Sequence, residues 1–352
     1  MKIQAACSLL LVVASFLPNV MAIPIGDKPQ VMPRDKRATS IPYDLNSESN
    51  AAAKNGPLPA GVPTKGGFSL NSTYHTGAAK TLASVVSADA TFTGSSSTVH
   101  DLEFYTQLAA NAYCSAVQAD AWTCAHCNVV SDGKLVTVFN TPNTNNVGYI
   151  LQSDSRKAIY IVFRGSNSLQ NWVDNLEFVY TSYAPVSGAE VHNGFYATFK
   201  EASSLIYTSA SALMTSHPTY KFYVVGHSLG GALAILEALD LYQRDKRFTT
   251  SNLAVYTFGE PRVGNPTFAT YASGTGLNLK RTVNQNDIVP HLPPEDFGFL
   301  HEGNEYWITD SSNDISECTS PLDSPNCSDS TVPFTSISAH LSYFGINTGS
   351  CL

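Results

Sequence analysis

The sequence predicts one large α/β domain over residues 86–352, with a mainly parallel central sheet and helices on both faces. Two observations predict it. Short, continuous apolar runs rich in β-branched and aromatic residues recur along this region, as strands buried on both faces require. Longer stretches with helical spacing lie between them, and alternating strand and helix gives parallel pairing through crossovers.

The first element is a helix over 102–113, where Leu102, Tyr105, Ala109 and Ala112 recur at helical spacing behind Thr98-x-x-Asp101 as a capping signal. Ala158–Phe163 reads as a strand, followed by strands at 221–225, Leu253–Phe258 and 305–308, with Arg281-Thr282-Val283 strand-like as well. Helices are expected over about 194–215 and 232–244. No internal repeat is visible.

The remainder of the chain has a different character. Lys2, the apolar stretch from Leu9 to Leu17, and Val20-Met21-Ala22 read as a signal peptide over 1–22. The run is too short to span a bilayer and stops at Pro18, so no integral membrane segment is expected there. Residues 23–85 are rich in Pro, Gly, Ser, Ala and Asn, and read as a removable propeptide, with Lys36-Arg37 and Lys80 as candidate processing points and a disordered linker as the alternative. Residues 1–85 carry a net charge of +4 against −12 for 86–352, which favours contact between the propeptide and the mature domain. The overall charge of −8 argues against nucleic acid as a partner. Export permits disulfides, and six cysteines remain after the signal peptide: Cys114, Cys124, Cys127, Cys318, Cys327 and Cys351. Six allow fifteen pairings, and Cys124-Ala-His-Cys127 favours a local bridge over half a metal site, because no second pair stands at zinc spacing. Asn71-Ser72-Thr73 and Asn326-Cys327-Ser328 are glycosylation sequons.

The segment that bears most directly on chemistry is Val225-Gly226-His227-Ser228-Leu229-Gly230-Gly231-Ala232. It matches G-x-S-x-G between an apolar strand and a helix, the context of a serine nucleophile on a sharp turn. Side chains two positions before and after such a serine would collide, which explains Gly226 and Gly230. Serine needs a base, and the base an orienting acid, in the order Ser, Asp or Glu, His. His340, late in the chain before an apolar segment, is favoured as the base, with His301 the alternative from position alone. Asp287 follows Arg281-Thr282-Val283, and a strand end at the carboxyl edge is where such a sheet places reactive groups. Asp310, Asp314, Asp323 and Asp329 stand in a Ser/Thr/Asp-rich stretch and read as solvated charges. The tetrahedral oxyanion requires donors: the N–H of Leu229, and Ser166 from the loop after Ala158–Phe163. Beyond Ser166, Leu169, Trp172, Val173 and Leu176 fall at i, i+3, i+4 and i+7 with polar residues between, an amphipathic helix suited to be a lid within about 166–180, with a surface helix that simply closes the core as the alternative.

With these residues in place, positions from about 95 to 352 resemble the filamentous-fungal lipases of the Rhizomucor and Rhizopus type. The resemblance rests on Val162-Phe163-Arg164-Gly165-Ser166, on Val225 to Ala232, on Glu260-Pro261-Arg262-Val263-Gly264, on Asn286 to Pro294, and on His340-Leu341-Ser342-Tyr343-Phe344-Gly345. It implies an α/β-hydrolase fold with a short helical lid over 168–176, a Ser228–Asp287–His340 triad, and Ser166 with Leu229 as oxyanion donors. It also implies Cys114–Cys351, Cys124–Cys127 and Cys318–Cys327 bridges, prepro processing and no metal or organic cofactor. The expected activity is that of a secreted triacylglycerol lipase acting on lipid at an oil–water interface. Three positions depart from the family: Gln170 and Asn175 stand where the lid often carries an Arg and an acidic partner, and Ala339 stands where an Asp often precedes the histidine. A feruloyl esterase or phospholipase on the same scaffold is the alternative enzyme, and a catalytically silent binding module the alternative of another kind.

Overall fold

The computed structural model describes residues 91–351. The signal peptide, the propeptide, their processing points and the Asn71 sequon lie outside the described residues. The chain enters as a short strand β1 (Thr91–Thr93) and helices α1 (Ser96–Asn111) and α2 (Ser115–Gln118). Strands β2 (Lys134–Asn140), β3 (Val147–Ser153) and β4 (Ala158–Phe163) follow as a meander. Helix α3 (Leu169–Asp174) and a ribbon of β5 (Tyr180–Ser182) and β6 (Glu190–His192) lead into α4 (Asn193–Ser216). Then come β7 (Lys221–His227), α5 (Leu229–Arg244), β8 (Leu253–Phe258), α6 (Pro266–Gly274) and β9 (Asn278–Asn284). A long loop reaches β10 (Asn304–Ile308) and β11 (Ile315–Cys318). The described chain closes with α7 (Ile337–His340) and a ribbon of β12 (Ser342–Tyr343) and β13 (Ile346–Asn347).

Nine strands form one sheet in the order β1-β11-β10-β9-β8-β7-β4-β3-β2. The five from β4 to β10 run parallel, and antiparallel pairs flank them at both edges. Alternation along β4 builds the layers. Ile159, Ile161 and Phe163 face a core shared with α4 and α5, and Ala158, Tyr160 and Val162 face a second core shared with α1. Every residue of β4 and β8 is buried, as their continuous apolar runs require. The predicted sheet with helices on both faces is therefore present, and it belongs to the α/β-hydrolase fold.

The start of α1 differs from expectation. The helix begins at Ser96, and the Ser95 hydroxyl, rather than Thr98, caps it by accepting from the Thr98 N–H at 3.2 Å. Asp101 is released from capping and instead accepts from the Tyr256 hydroxyl at 2.8 Å and from Lys280 at 3.1 Å. Asp323 and Asp329 also depart from the expected solvated state. Both are buried around Arg262, whose guanidinium lies 3.0 Å from Asp323 and 3.1 Å from Asp329. Burial opposes the Arg262 charge, but these carboxylates and Glu295 hold it protonated above the usual range. Asp310 and Asp314 are exposed, as expected. No helix among the described residues is long and apolar enough to cross a membrane.

All three bridges form as the family resemblance implied: Cys114–Cys351, Cys124–Cys127 and Cys318–Cys327. Cys114 follows α1 and Cys351 is the last described residue, so the first bridge ties the chain's end to the first large helix across 237 residues. Asn326, of the second sequon, is exposed. Removing the Cys114–Cys351 bridge by a double Ser substitution should lower unfolding free energy by about 2–5 kcal/mol, because it closes the longest loop. The same change at Cys124 and Cys127, three residues apart, should cost less. Chemical denaturation of both variants checks this ranking.

Candidate active site

Ser228 occupies the turn between β7 and α5 with φ 58° and ψ −133°, a strained conformation for a residue with a side chain. Its N–H donates to the Phe258 carbonyl at 2.9 Å, and its carbonyl accepts from the Gly231 N–H at 2.8 Å. The flanking glycines are required by contact. A Cβ on Gly226 would lie 2.0 Å from the Gly230 carbonyl oxygen, and one on Gly230 would lie 2.4 Å from the Phe163 carbonyl oxygen. The tight turn expected from the motif is therefore present. It aligns Ser228 with the N-terminus of the sixteen-residue helix α5, where partial positive charge gathers.

Asp287 and His340 meet although 53 residues separate them. His340 Nδ1 lies 2.8 Å from Asp287 Oδ2, and both residues are fully buried. The ionised carboxylate accepts, so Nδ1 carries the proton and Nε2 keeps its lone pair. Nε2 is buried and has no hydrogen-bond partner among the described residues. Two further donors hold the carboxylate. The Val289 N–H donates to Oδ1 at 2.9 Å, and the Tyr343 hydroxyl donates to Oδ2. Burial, and then the adjacent Asp287 charge, keep the Tyr343 phenol protonated well above its usual range. Gly259 closes the arrangement from the β8 side: at φ 60° it packs against the ring of His340, and a Cβ there would lie 2.6 Å from Cε1. Because Ser228 bonds Phe258, the neighbour of Gly259, the Ser228 turn and the His340 ring share one support.

The other histidines have separate tasks. His301 is buried with Nε2 2.7 Å from the Pro290 carbonyl, and His291 Nδ1 lies 3.0 Å from Asp329, so neither joins Asp287. His227 turns its ring to partners other than Ser228. Its Nδ1 accepts from the Tyr113 hydroxyl at 2.7 Å, and its Nε2 donates to the His340 carbonyl at 2.9 Å. The Tyr113 oxygen accepts in turn from the Gly165 N–H at 3.0 Å. One chain of hydrogen bonds thus joins the loop carrying Ser166, the turn carrying Ser228 and the segment carrying His340. Neither the Ser166 nor the Leu229 backbone N–H donates to a protein acceptor among the described residues, which leaves both free for an oxyanion.

Helix α3 ends at Asp174, so Leu176 stands just beyond it, and Tyr180 of the expected lid range belongs to β5. Val173 is buried with Ile288, Val289 and Leu292, and Leu169, Trp172, Leu176 and Ile337 pack around them. The helix's apolar face therefore covers the apolar run next to Asp287. Gln170 and Asn175, at the positions that depart from the family, bond within the helix itself. Gln170 donates to Asp174 at 2.8 Å and Asn175 to the Asn171 carbonyl at 2.6 Å.

Sequence reasoning missed Tyr343, Gly259, Tyr113 and the Val289 N–H. Tyr343 lies inside the recognised run His340 to Gly345, three residues after the histidine, and its place in that run was the available sign. Replacing Tyr343 with Phe removes one donor from Asp287. It should lower kcat/KM about tenfold, the order of one charge-assisted hydrogen bond, with thermal stability the less affected. Steady-state kinetics beside a melting curve checks it. Acid should destabilise the fold through its buried histidines. Burial lowers His192 to about 4, and burial, followed by the neighbouring His340 for His227 and Arg281 for His301, holds both of these well below the usual range. Unfolded histidines bind protons below about 6.5 while these do not, so the contribution of these histidines to stability falls as pH drops from about 6.5 toward 4, against the opposite contribution of the buried Glu237, Glu260 and Glu302, whose carboxyls burial raises. Unfolding free energies across that window, compared with those of a His192→Gln variant, check the slope.

Residues 160–297 match the family described as lipase (class 3). The chain is 46% identical over 326 residues to the lipase of Rhizomucor miehei, covering 92% of this chain and 89% of that relative. The solved structure of the Rhizomucor miehei triacylglyceride lipase superposes with a TM-score of 0.74 at 48% identity, covering 75% of this chain and all of that one. A Rhizomucor miehei lipase propeptide complex gives the same TM-score at 47% identity, over 86% of this chain and 94% of that one. The hydrolase geometry around Ser228 and this likeness along nearly the whole chain lead to one assignment: the protein belongs to the class 3 lipases, as a carboxylic ester hydrolase of the filamentous-fungal type.

Proposed function

We propose that the protein is a secreted triacylglycerol lipase that hydrolyses long-chain acyl esters at an oil–water interface through Ser228, His340 and Asp287. The observation that carries this reading is the buried His340–Asp287 hydrogen bond, which leaves His340 Nε2 unpartnered and not yet bonded to the Ser228 hydroxyl, together with a serine held at φ 58° on the β7–α5 turn. His340 Nε2, with its lone pair free, takes the Ser228 proton as Oγ attacks the ester carbonyl. The tetrahedral oxyanion accepts from the N–H groups of Ser166 and Leu229, each such donor typically contributing about 3 kcal/mol. The imidazolium then protonates the departing alcohol, and an acyl enzyme remains on Ser228. Water, deprotonated by His340, releases the fatty acid. Asp287 holds the tautomer and balances the imidazolium charge throughout.

Leu169 to Leu176 is the lid in this reading, closed over Ile288, Val289 and Leu292. Opening exposes apolar surface, which water opposes and an oil surface does not. At about 25 cal/mol per Å², a few hundred Å² biases the equilibrium by several kcal/mol. That apolar run favours an acyl chain over a feruloyl ring. The N-terminal residues act as signal peptide (1–22) and propeptide (23–85), the latter docking on the mature domain, as a propeptide does in the related complex. Ser228→Ala should lower turnover by several orders of magnitude. Rates on an ester series of rising chain length, above and below substrate solubility, should rise with chain length and jump where droplets form. Faster hydrolysis of a soluble feruloyl ester than of emulsified long-chain triglyceride would instead favour the alternative esterase.

A further inference from the structure

The most exposed large apolar side chain among the described residues is Phe334, at 81%. It is not held out by a loose loop. The Phe334 N–H donates to the Thr331 carbonyl at 2.8 Å, and its carbonyl accepts from Asn286 Nδ2 at 2.7 Å. Two residues on, Ser336 exchanges backbone hydrogen bonds with the strip that carries Asp287, donating to the Asn286 carbonyl at 2.7 Å and accepting from the Ile288 N–H at 3.2 Å. Phe334 is thus fixed to the wall of the site while its ring stands in solvent. Ile337, three residues further, packs into the cluster beneath α3, so the ring lies within about 10 Å of chain from the covered apolar run. From Ser330 to Ala339 no residue carries a charge, in a domain whose residues 86–352 total −12. A surface that meets lipid must lose little ionic hydration, and this stretch loses none.

We propose that Phe334 is a fixed lipid anchor that inserts into a neutral oil surface and seats the rim of the site on it, independently of any movement of α3. This rests on the lipase reading above, because the surface engaged is taken to be that of the substrate. The acidic domain favours neutral acylglycerol over an anionic bilayer as the occupant. Phe92 and Leu205 are also exposed, at 58% and 49%, but stand on the edge strand β1 and on helix α4. They serve as controls.

The test measures partition of the full chain into a floated triolein emulsion, in a Ser228→Ala background so that no product accumulates. Phe334→Ser should lower the partition constant about tenfold, the order expected for withdrawing one aromatic side chain from an apolar phase. Phe334→Trp should restore it, and Phe92→Ser and Leu205→Ser should leave it unchanged. In the Ser228 chain, Phe334→Ser should keep its rate on soluble p-nitrophenyl butyrate and its melting temperature. Unchanged partition in Phe334→Ser, or an equal loss in the controls, would overturn the proposal. Partition requires no turnover, so failure of the lipase reading would show separately, as wild-type chain that binds triolein and does not hydrolyse it.

Discussion

A carboxylate with no exposure to water needs donors, and the active end of this molecule is arranged around supplying them to Asp287. The residue follows β9, so the sheet fixes its backbone. A backbone N–H from its own loop answers one oxygen, and the Tyr343 hydroxyl and the His340 ring answer the other. Leaving such a charge unpaired costs several kcal/mol, which ties three distant segments to one register. Asn284, at the end of β9, reinforces this by donating to the carbonyls of Ala339 and Ser342 on either side of the histidine. Ala339, where relatives often carry Asp, thus holds His340 through its backbone. The Cys114–Cys351 bridge then fastens the segment to α1.

Ser228, the proposed nucleophile, is positioned by the opposite means, through proximity. Gly226 and Gly230 permit backbone contacts that any side chain would prevent, and the strain at Ser228 persists because β7, β8 and α5 overdetermine the turn. Tyr113 and His227 join this rigid turn to the loop carrying Ser166 and to the segment carrying His340. Burial, and then the nearby His340, keep His227 neutral, so Nδ1 accepts from Tyr113 while Nε2–H donates to the His340 carbonyl.

What the sequence made legible follows from how local each cause is. Strand β4 and the turn at Ser228 are determined by a few adjacent residues, and both stand where the pattern put them. Strand β3 escaped notice because Gly148 and Gln152 interrupt its apolar run. Yet a Cβ on Gly148 would lie 2.2 Å from the Val162 carbonyl, so the glycine is there for close strand approach. The cap of α1 was misplaced because Ser95, Ser96, Ser97 and Thr98 all offer hydroxyls, and spacing alone cannot choose among them. Asp323 and Asp329 read as surface charges because their partner, Arg262, lies more than sixty positions away. Tyr343 belongs to the same class: its role exists only after the chain has folded back on β9.

Helix α3 is held to the body in a way that bears on its response to surroundings. Among the described residues, no ion pair joins 168–176 to the rest of the molecule, and Gln170 and Asn175 spend their hydrogen bonds inside the helix. The polar fastening comes just afterwards, where His192 Nε2 bonds the Glu177 carbonyl and the Asn193 N–H donates to the Val179 carbonyl at 2.8 Å. Residues 168–176 are thus held by apolar contact and not by a charge pair, between the tie of Gly165 to Tyr113 on one side and those of Glu177 and Val179 on the other. Those contacts are favoured by water's exclusion of Leu169, Trp172, Val173 and Leu176, a force that salt screening does not weaken. An apolar surface removes that force at its source, whereas raised ionic strength, which would release a charged latch, leaves it in place.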